Sequence, residues 1–264
     1  MRKIALGIFA HPDDAEFLCT GTLSLLKKAG WSIHIGTLAM GDKGTTELTR
    51  KEISRIRRLE ASKSVKCLDG QYHCLDFEDV YIFYSRETIN MTTNLIREIR
   101  PEIVFTASPN DYMLDHEITG QIVQTACFSA GIKNLEIATE PFEPIPYLYY
   151  CDPMEGIDRF GNLIYPSVYV NIESEMDLKY KMLSCHASQR NWLLKHHNID
   201  EYTMFMKRMA EMRGKEINIL NAEGFRQHLS HGYSHKNILK EILGELVICR
   251  QDNHVPAGNI YVGK

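Results

Sequence analysis

Over residues 1–135 four short apolar runs alternate with four helical patterns, and this alternation restricts the fold more than any other feature of the chain. The apolar runs lie near 3–9, 31–38, 71–75 and 103–107; the helical patterns lie near 14–29, 47–65, 84–99 and 116–131. Such runs have the length of buried strands, and no hairpin turn signal joins them. Parallel strands linked by helical crossovers are therefore expected. The expected class is α/β: a Rossmann-like, mostly parallel sheet flanked by helices. Glu140-Pro141-Phe142-Glu143-Pro144-Ile145-Pro146 breaks the alternation, and 147–150 and 168–172 read as two further strands. From Glu173 onward the pattern is mainly helical, with Met204, Met206, Met209 and Met212 spaced as a packed apolar face. The expected organisation is a Rossmann-type domain over 1–190 and a helical C-terminal extension, 191–264, packed on it.

The first run ends in Ala10-His11-Pro12-Asp13-Asp14-Ala15-Glu16. In a parallel sheet this turn lies at the carboxyl end of a strand, where ligands bind. One imidazole and three carboxylates between positions 11 and 16 suit an oxygen- and nitrogen-ligated divalent metal and a proton-transfer base. Asp13 and Asp14 would also cap a helix, with Pro12 fixing the turn. Capping needs one oxygen, however, and explains neither the histidine nor the density of charge. A second loop repeats the arrangement. The run 103–107 leads into Pro109-Asn110-Asp111-Tyr112-Met113-Leu114-Asp115-His116, and a helical pattern follows through Ile118, Ile122, Val123 and Ala126.

The string Ala10–Glu16 resembles the opening signature of the zinc-dependent de-N-acetylases of the LmbE-like/PIG-L type, and the resemblance extends over about the first 190 residues. It implies a hydrolase that removes an acetyl group from an N-acetylated amino sugar or its conjugate. In that reading zinc is the cofactor, held by His11, Asp14 and His116, the last being the histidine of the family's second, Asp-His signature. Asp13 is the general base that takes the proton of the attacking water. Arg57 matches the arginine of an Arg-x-x-Glu-Ala helix that points toward the sugar; by itself, Arg57 also reads as the i,i+3 partner of Glu60 on a solvated helix. Asp79 stands where relatives place a group for a sugar hydroxyl. His186, in His186-Ala187-Ser188-Gln189, matches a His-x-Ser-Gln element and is expected near the site, although a lone helical histidine is commonly structural.

The chain departs from the family at Met113. Many members carry a histidine three residues before the ligand, and a thioether cannot donate a hydrogen bond. His186 or a backbone N–H is expected to assist the oxyanion instead. The ligand set would also accept iron, cobalt or manganese.

The remaining composition excludes several classes. With 34 acidic and 30 basic residues there is no electrostatic footprint for nucleic acid. No apolar stretch approaches the roughly 20 residues that span a bilayer. Seven scattered cysteines without Cys-x-x-Cys suit free thiols in a reducing compartment, so a cytoplasmic location is expected. Arg2-Lys3 and the apolar run behind it lead into His11-Pro12 without a cleavage site, unlike a secretion signal. The first turn lacks Gly-x-Gly-x-x-Gly, and its carboxylates would repel a pyrophosphate, which disfavours a dinucleotide oxidoreductase. A thiol-conjugate amidase and a non-catalytic carbohydrate-binding protein stay open as alternatives. The expected partner is a small N-acetyl amino-sugar substrate. The last 70 residues or so would form its wall or a subunit contact in a homo-oligomer.

Overall fold

Side chains along β1 (Ile4–Phe9) alternate between two apolar layers. Ala5 and Phe9 join one core cluster and Leu6 and Ile8 the other, all fully buried. A strand that is apolar on both faces needs cover on both sides, which is the condition for a parallel sheet sandwiched by helices. The computed structural model describes residues 3–190 and 201–250 and has this architecture.

The further strands are β2 (Ser32–Ala39), β3 (Gln71–Phe77), β4 (Ile103–Thr106), β5 (Tyr147–Cys151), β6 (Val168–Asn171), β7 (Ala222–Gln227) and β8 (Val247–Cys249). They form one sheet in the order β3-β2-β1-β4-β5-β7-β6-β8. The first five strands in that order are parallel, and the pairings of β7 with β5 and β6, and of β6 with β8, are antiparallel. Helices α1 (Asp14–Leu18) and α2 (Thr20–Lys28) follow β1; α3 (Arg50–Val65), α4 (Arg86–Ile99) and α5 (Leu114–Ser129) follow the next three strands. The later helices are α6 (Met176–Leu183), α7 (Glu201–Lys215) and α8 (Ile238–Leu243). None of the described helices is long and apolar enough to cross a membrane.

Strand order reverses between β1 and β4, so the loops that leave their carboxyl ends open a crevice between them. The first of those loops carries His11, and the second leads into the first turn of α5, which carries His116. A capping box starts α3, where the Thr49 side chain accepts from the Glu52 N–H and the Glu52 carboxylate accepts from the Thr49 N–H.

Two features differ from the sequence pattern. The single helix expected over 14–29 is broken at Cys19, with φ −148° and ψ 3°. The C-terminal part, expected to be mainly helical, also contributes β7 and β8, and β7 lies inside the sheet between β5 and β6. Both differences trace to Glu223 on β7. Its carboxylate accepts the backbone N–H of Gly21 at 2.9 Å and of Thr22 at 2.7 Å, in the first turn of α2. Lys179 of α6, itself 1% exposed, donates to the same carboxylate at 2.6 Å and to the Phe17 carbonyl at 2.9 Å. A strand with no apolar run is thus held by a buried charge and the helix terminus it caps.

Replacing Glu223 by alanine leaves Lys179 buried and unpaired. Chemical denaturation of Glu223→Ala should show a loss of about 3–5 kcal/mol, the range for breaking one side of a buried ion pair. A loss under about 1 kcal/mol, as for a surface pair, would mean that Lys179 finds water or another partner.

Candidate metal centre and active site

The turn after β1 is built so that its carboxylates face inward. Asp13 occupies the N-cap position of α1, yet its side chain makes no capping bond, and its backbone is left-handed at φ 101°. The Asp14 carboxylate instead accepts the His11 backbone N–H at 2.9 Å. Capping therefore does not account for either residue. An aspartate at positive φ is strained, and strain of this kind persists where surrounding contacts over-determine it.

His11, Asp14 and His116 each present one ligand atom, and these atoms lie within 4.8 Å of one another. All three residues are buried. The far nitrogen of each imidazole is tied to a carboxylate. His11 Nε2 lies 3.0 Å from Asp115 Oδ2, and His116 Nδ1 lies 2.9 Å from Asp111 Oδ1. The near nitrogens are left facing Asp14: His116 Nε2 at 3.5 Å and His11 Nδ1 at 3.8 Å. Carboxylate-oriented imidazoles and one aspartate carboxylate are a donor set that fits a divalent metal such as zinc. Burial opposes ionisation of Asp14, but the His116 and His11 imidazoles outweigh it and hold its carboxyl well below the ordinary carboxylate range.

Asp13 points to the other side of the same turn. Its Oδ2 accepts the Tyr202 hydroxyl at 2.5 Å and lies 3.3 Å from Arg57 Nη2. Burial pushes its carboxyl up, against the opposing pull of the Arg57 guanidinium and His186. Arg57 is itself buried and donates from Nη2 to the Pro12 carbonyl at 2.7 Å. A Cβ on Gly41 would fall 2.6 Å from Arg57 Cδ, and Gly41 also has φ 73°, so both the close approach and the conformation require glycine there.

A cavity of about 740 Å³ opens over this cluster. His11, Asp13, Asp14, His116, Arg57 and Asp79 all line it. His186 does not. It is fully buried, with Nε2 3.3 Å from Glu16 Oε1, and Glu16 also accepts the Ser64 hydroxyl at 2.5 Å. The structure thus puts His186 behind the turn rather than on the cavity wall. Asp79 reaches the cavity, but its two oxygens accept the backbone N–H groups of Gly41 at 2.8 Å and Lys43 at 3.1 Å, which shapes the glycine loop. Met113 lines the cavity beside His116.

Three residues in this arrangement had no role in the sequence reading. Asp111 lies in the loop before α5 and Asp115 in its first turn, and their signal was the presence of carboxylates five and one residues from a candidate ligand. Tyr202 comes from α7, and nothing local in the sequence marks it.

The profile of the GlcNAc-PI de-N-acetylase family, PIG-L, matches residues 6–127. The diacetylchitobiose deacetylase of Thermococcus kodakarensis is 30% identical over 196 residues, covering 71% of this chain and 70% of that protein. The 4-oxalmesaconate hydratase of Pseudomonas putida is 25% identical over 243 residues, covering 85% of this chain and 89% of that one. Among solved structures, the N,N'-diacetylchitobiose deacetylase of Pyrococcus horikoshii superposes with a TM-score of 0.74 at 25% identity, over 86% of this chain and 84% of that chain.

If Asp111 fixes the orientation of His116, Asp111→Ala should lower zinc affinity about 10–100-fold, the usual cost of losing such a partner. Competition with a chelator of known affinity measures this. Unchanged affinity would mean that packing alone orients the ring.

Proposed function

The chain belongs to the PIG-L family of de-N-acetylases, and on that premise we propose that it is a metal-dependent hydrolase that removes an acetyl group from an N-acetylated amino sugar or its conjugate. The observation that carries the reading is the convergence of His11, Asp14 and His116 with Asp13 beside them at the floor of one cavity. His11, Asp14 and His116 would hold the metal. Zinc bound there supplies Lewis-acid chemistry, polarising a carbonyl and making water more acidic.

The protein's own part centres on Asp13. Its Oδ2 is engaged by Tyr202 and Arg57, which fix the carboxylate plane and leave Oδ1 to accept a proton. As water attacks the amide carbonyl carbon, Asp13 takes the water's proton. When the C–N bond breaks, Asp13 returns that proton to the leaving nitrogen, so the products are the carboxylic acid and the free amine. Met113 has no proton to donate to the developing oxyanion, and the Tyr202 hydroxyl is committed to Asp13. Arg57 and Asp79, at the cavity wall, are proposed to contact the sugar, Arg57 directly and Asp79 by holding the loop Gly41–Lys43. His186 is proposed as a positioning residue that acts through Glu16 and Asp13.

The long match to a hydratase favours a second reading, addition of water to an unsaturated carboxylate. The charge of the cavity argues against it. Among the described residues, five carboxylates, Asp79, Glu155 and Glu201 included, line it against Lys43, Arg57 and Arg208. Even a bound divalent cation would leave little positive potential for a polyanion.

Acetate and amine release from N-acetylglucosamine and its conjugates, with zinc-loaded protein, tests the proposal. Loss of ultraviolet absorbance from an unsaturated dicarboxylate, without amine release, would favour the hydratase reading instead. Two variants separate base from ligand. Asp13→Asn should retain zinc and lose about 10²–10⁴-fold in turnover, the usual worth of a general base. Asp14→Ala should lose zinc, because two neutral imidazoles alone bind it weakly. Equal zinc loss in both variants would overturn the division of roles.

A further inference from the structure

Val80 has a left-handed backbone, φ 74°, and a β-branched residue there is a true outlier. The geometry itself has a cause. The Val80 N–H donates to Asp115 Oδ2 at 2.7 Å, and the same oxygen lies 3.0 Å from His11 Nε2. One residue earlier, the Asp79 N–H donates to Asp42 at 2.8 Å. These bonds fix the turn, and glycine would adopt it freely while asparagine would tolerate it. They do not explain a valine. The residue is 61% exposed and belongs to neither apolar core. What it does is line the cavity, together with Tyr112 and Met113. Tyr112 is 63% exposed, and its ring meets that of His116 edge-on, with centroids 5.5 Å apart. Three apolar side chains of the cavity lining, aliphatic, aromatic and thioether, thus belong to the segments that hold the two histidines.

We propose that Val80, with Tyr112 and Met113, forms an apolar subsite that binds an alkyl or aryl group of the substrate, and that Val80 is a specificity-determining residue. This rests on the amide-hydrolase reading only for where the group is attached: on the acyl side of the scissile bond or on the aglycone side. The strained backbone orients His11 through Asp115, and the valine side chain adds selectivity to the same turn.

Two compound series distinguish the attachment points: N-acyl glucosamines from acetyl to octanoyl, and alkyl N-acetylglucosaminides from methyl to octyl. Dissociation constants by calorimetry and kcat/KM would be measured on zinc-loaded protein. Wild type should gain about fourfold in affinity per methylene over the first carbons of one series, as expected for burying a CH₂. Val80→Gly and Val80→Asn both suit a positive φ and both keep the N–H that Asp115 accepts. With zinc content and Tm checked, each should flatten that dependence. Chain-length-independent binding in both series, or unaltered slopes in both variants, would overturn the subsite. Length-dependent binding without hydrolysis of any compound would overturn the hydrolase reading and leave the subsite standing.

Discussion

Burying many charges around one turn is the constraint from which the rest of this structure follows. His11, Asp13, Asp14, Glu16, Arg57 and His116 are each less than 10% exposed. An unpaired charge at such depth is costly by several kcal/mol, so each must be matched by a group of opposite charge or by hydrogen bonds. The matching groups come from almost every layer. Arg57 and Ser64 come from α3, Asp111 and Asp115 from the loop and first turn of α5, and Tyr202 from α7. The parallel sheet supplies the frame in which two strand ends, far apart in sequence, open on one crevice. The helices then fit around the charges as much as around the apolar core.

The same network leaves few degrees of freedom to the reacting groups. Each imidazole has one nitrogen tied to a carboxylate, and Asp13 has one oxygen committed to two donors. The other nitrogen of each imidazole is left facing Asp14. A site of this kind is arranged before any ligand arrives, which is the usual basis of electrostatic catalysis.

Much of this was legible because it is local. Strand, polar turn and helix are neighbours in sequence, so β1 through β6 and α3 through α5 fall within a few residues of their apolar and helical patterns, and both motif loops stand at strand ends. The less legible parts depend on distance. Tyr202 is 189 positions from Asp13, and no periodicity can reveal such a pairing. β7 reads Ala222-Glu223-Gly224-Phe225-Arg226-Gln227, with neither alternation nor an apolar run. It is a strand because Glu223 must reach the start of α2 and Lys179, and because Gly224 makes room for Asp152 and Pro166, which a Cβ would meet at 2.4 Å. For Asp79 and His186 the sequence signalled residues near the site but not the groups they pair with. Those partners, Gly41 and Lys43 for Asp79 and Glu16 for His186, are properties of the folded turn.

The place of β7 bears on how the chain reaches this state during its synthesis. The residue that caps α2 follows it by about 200 positions, with 202 separating Glu223 from Gly21. A ribosome has therefore made more than 200 residues before the N-terminal helix pair can be completed and the gap between β5 and β6 filled. Until then β5 presents an unpaired edge, and the exposed N–H groups of α2 have only water. Pairing across such a separation is slow to form, and an open strand edge invites other chains. The nascent protein thus has a long interval in which its aggregation-prone surface is uncovered, and a stop near residue 220 would make that interval permanent.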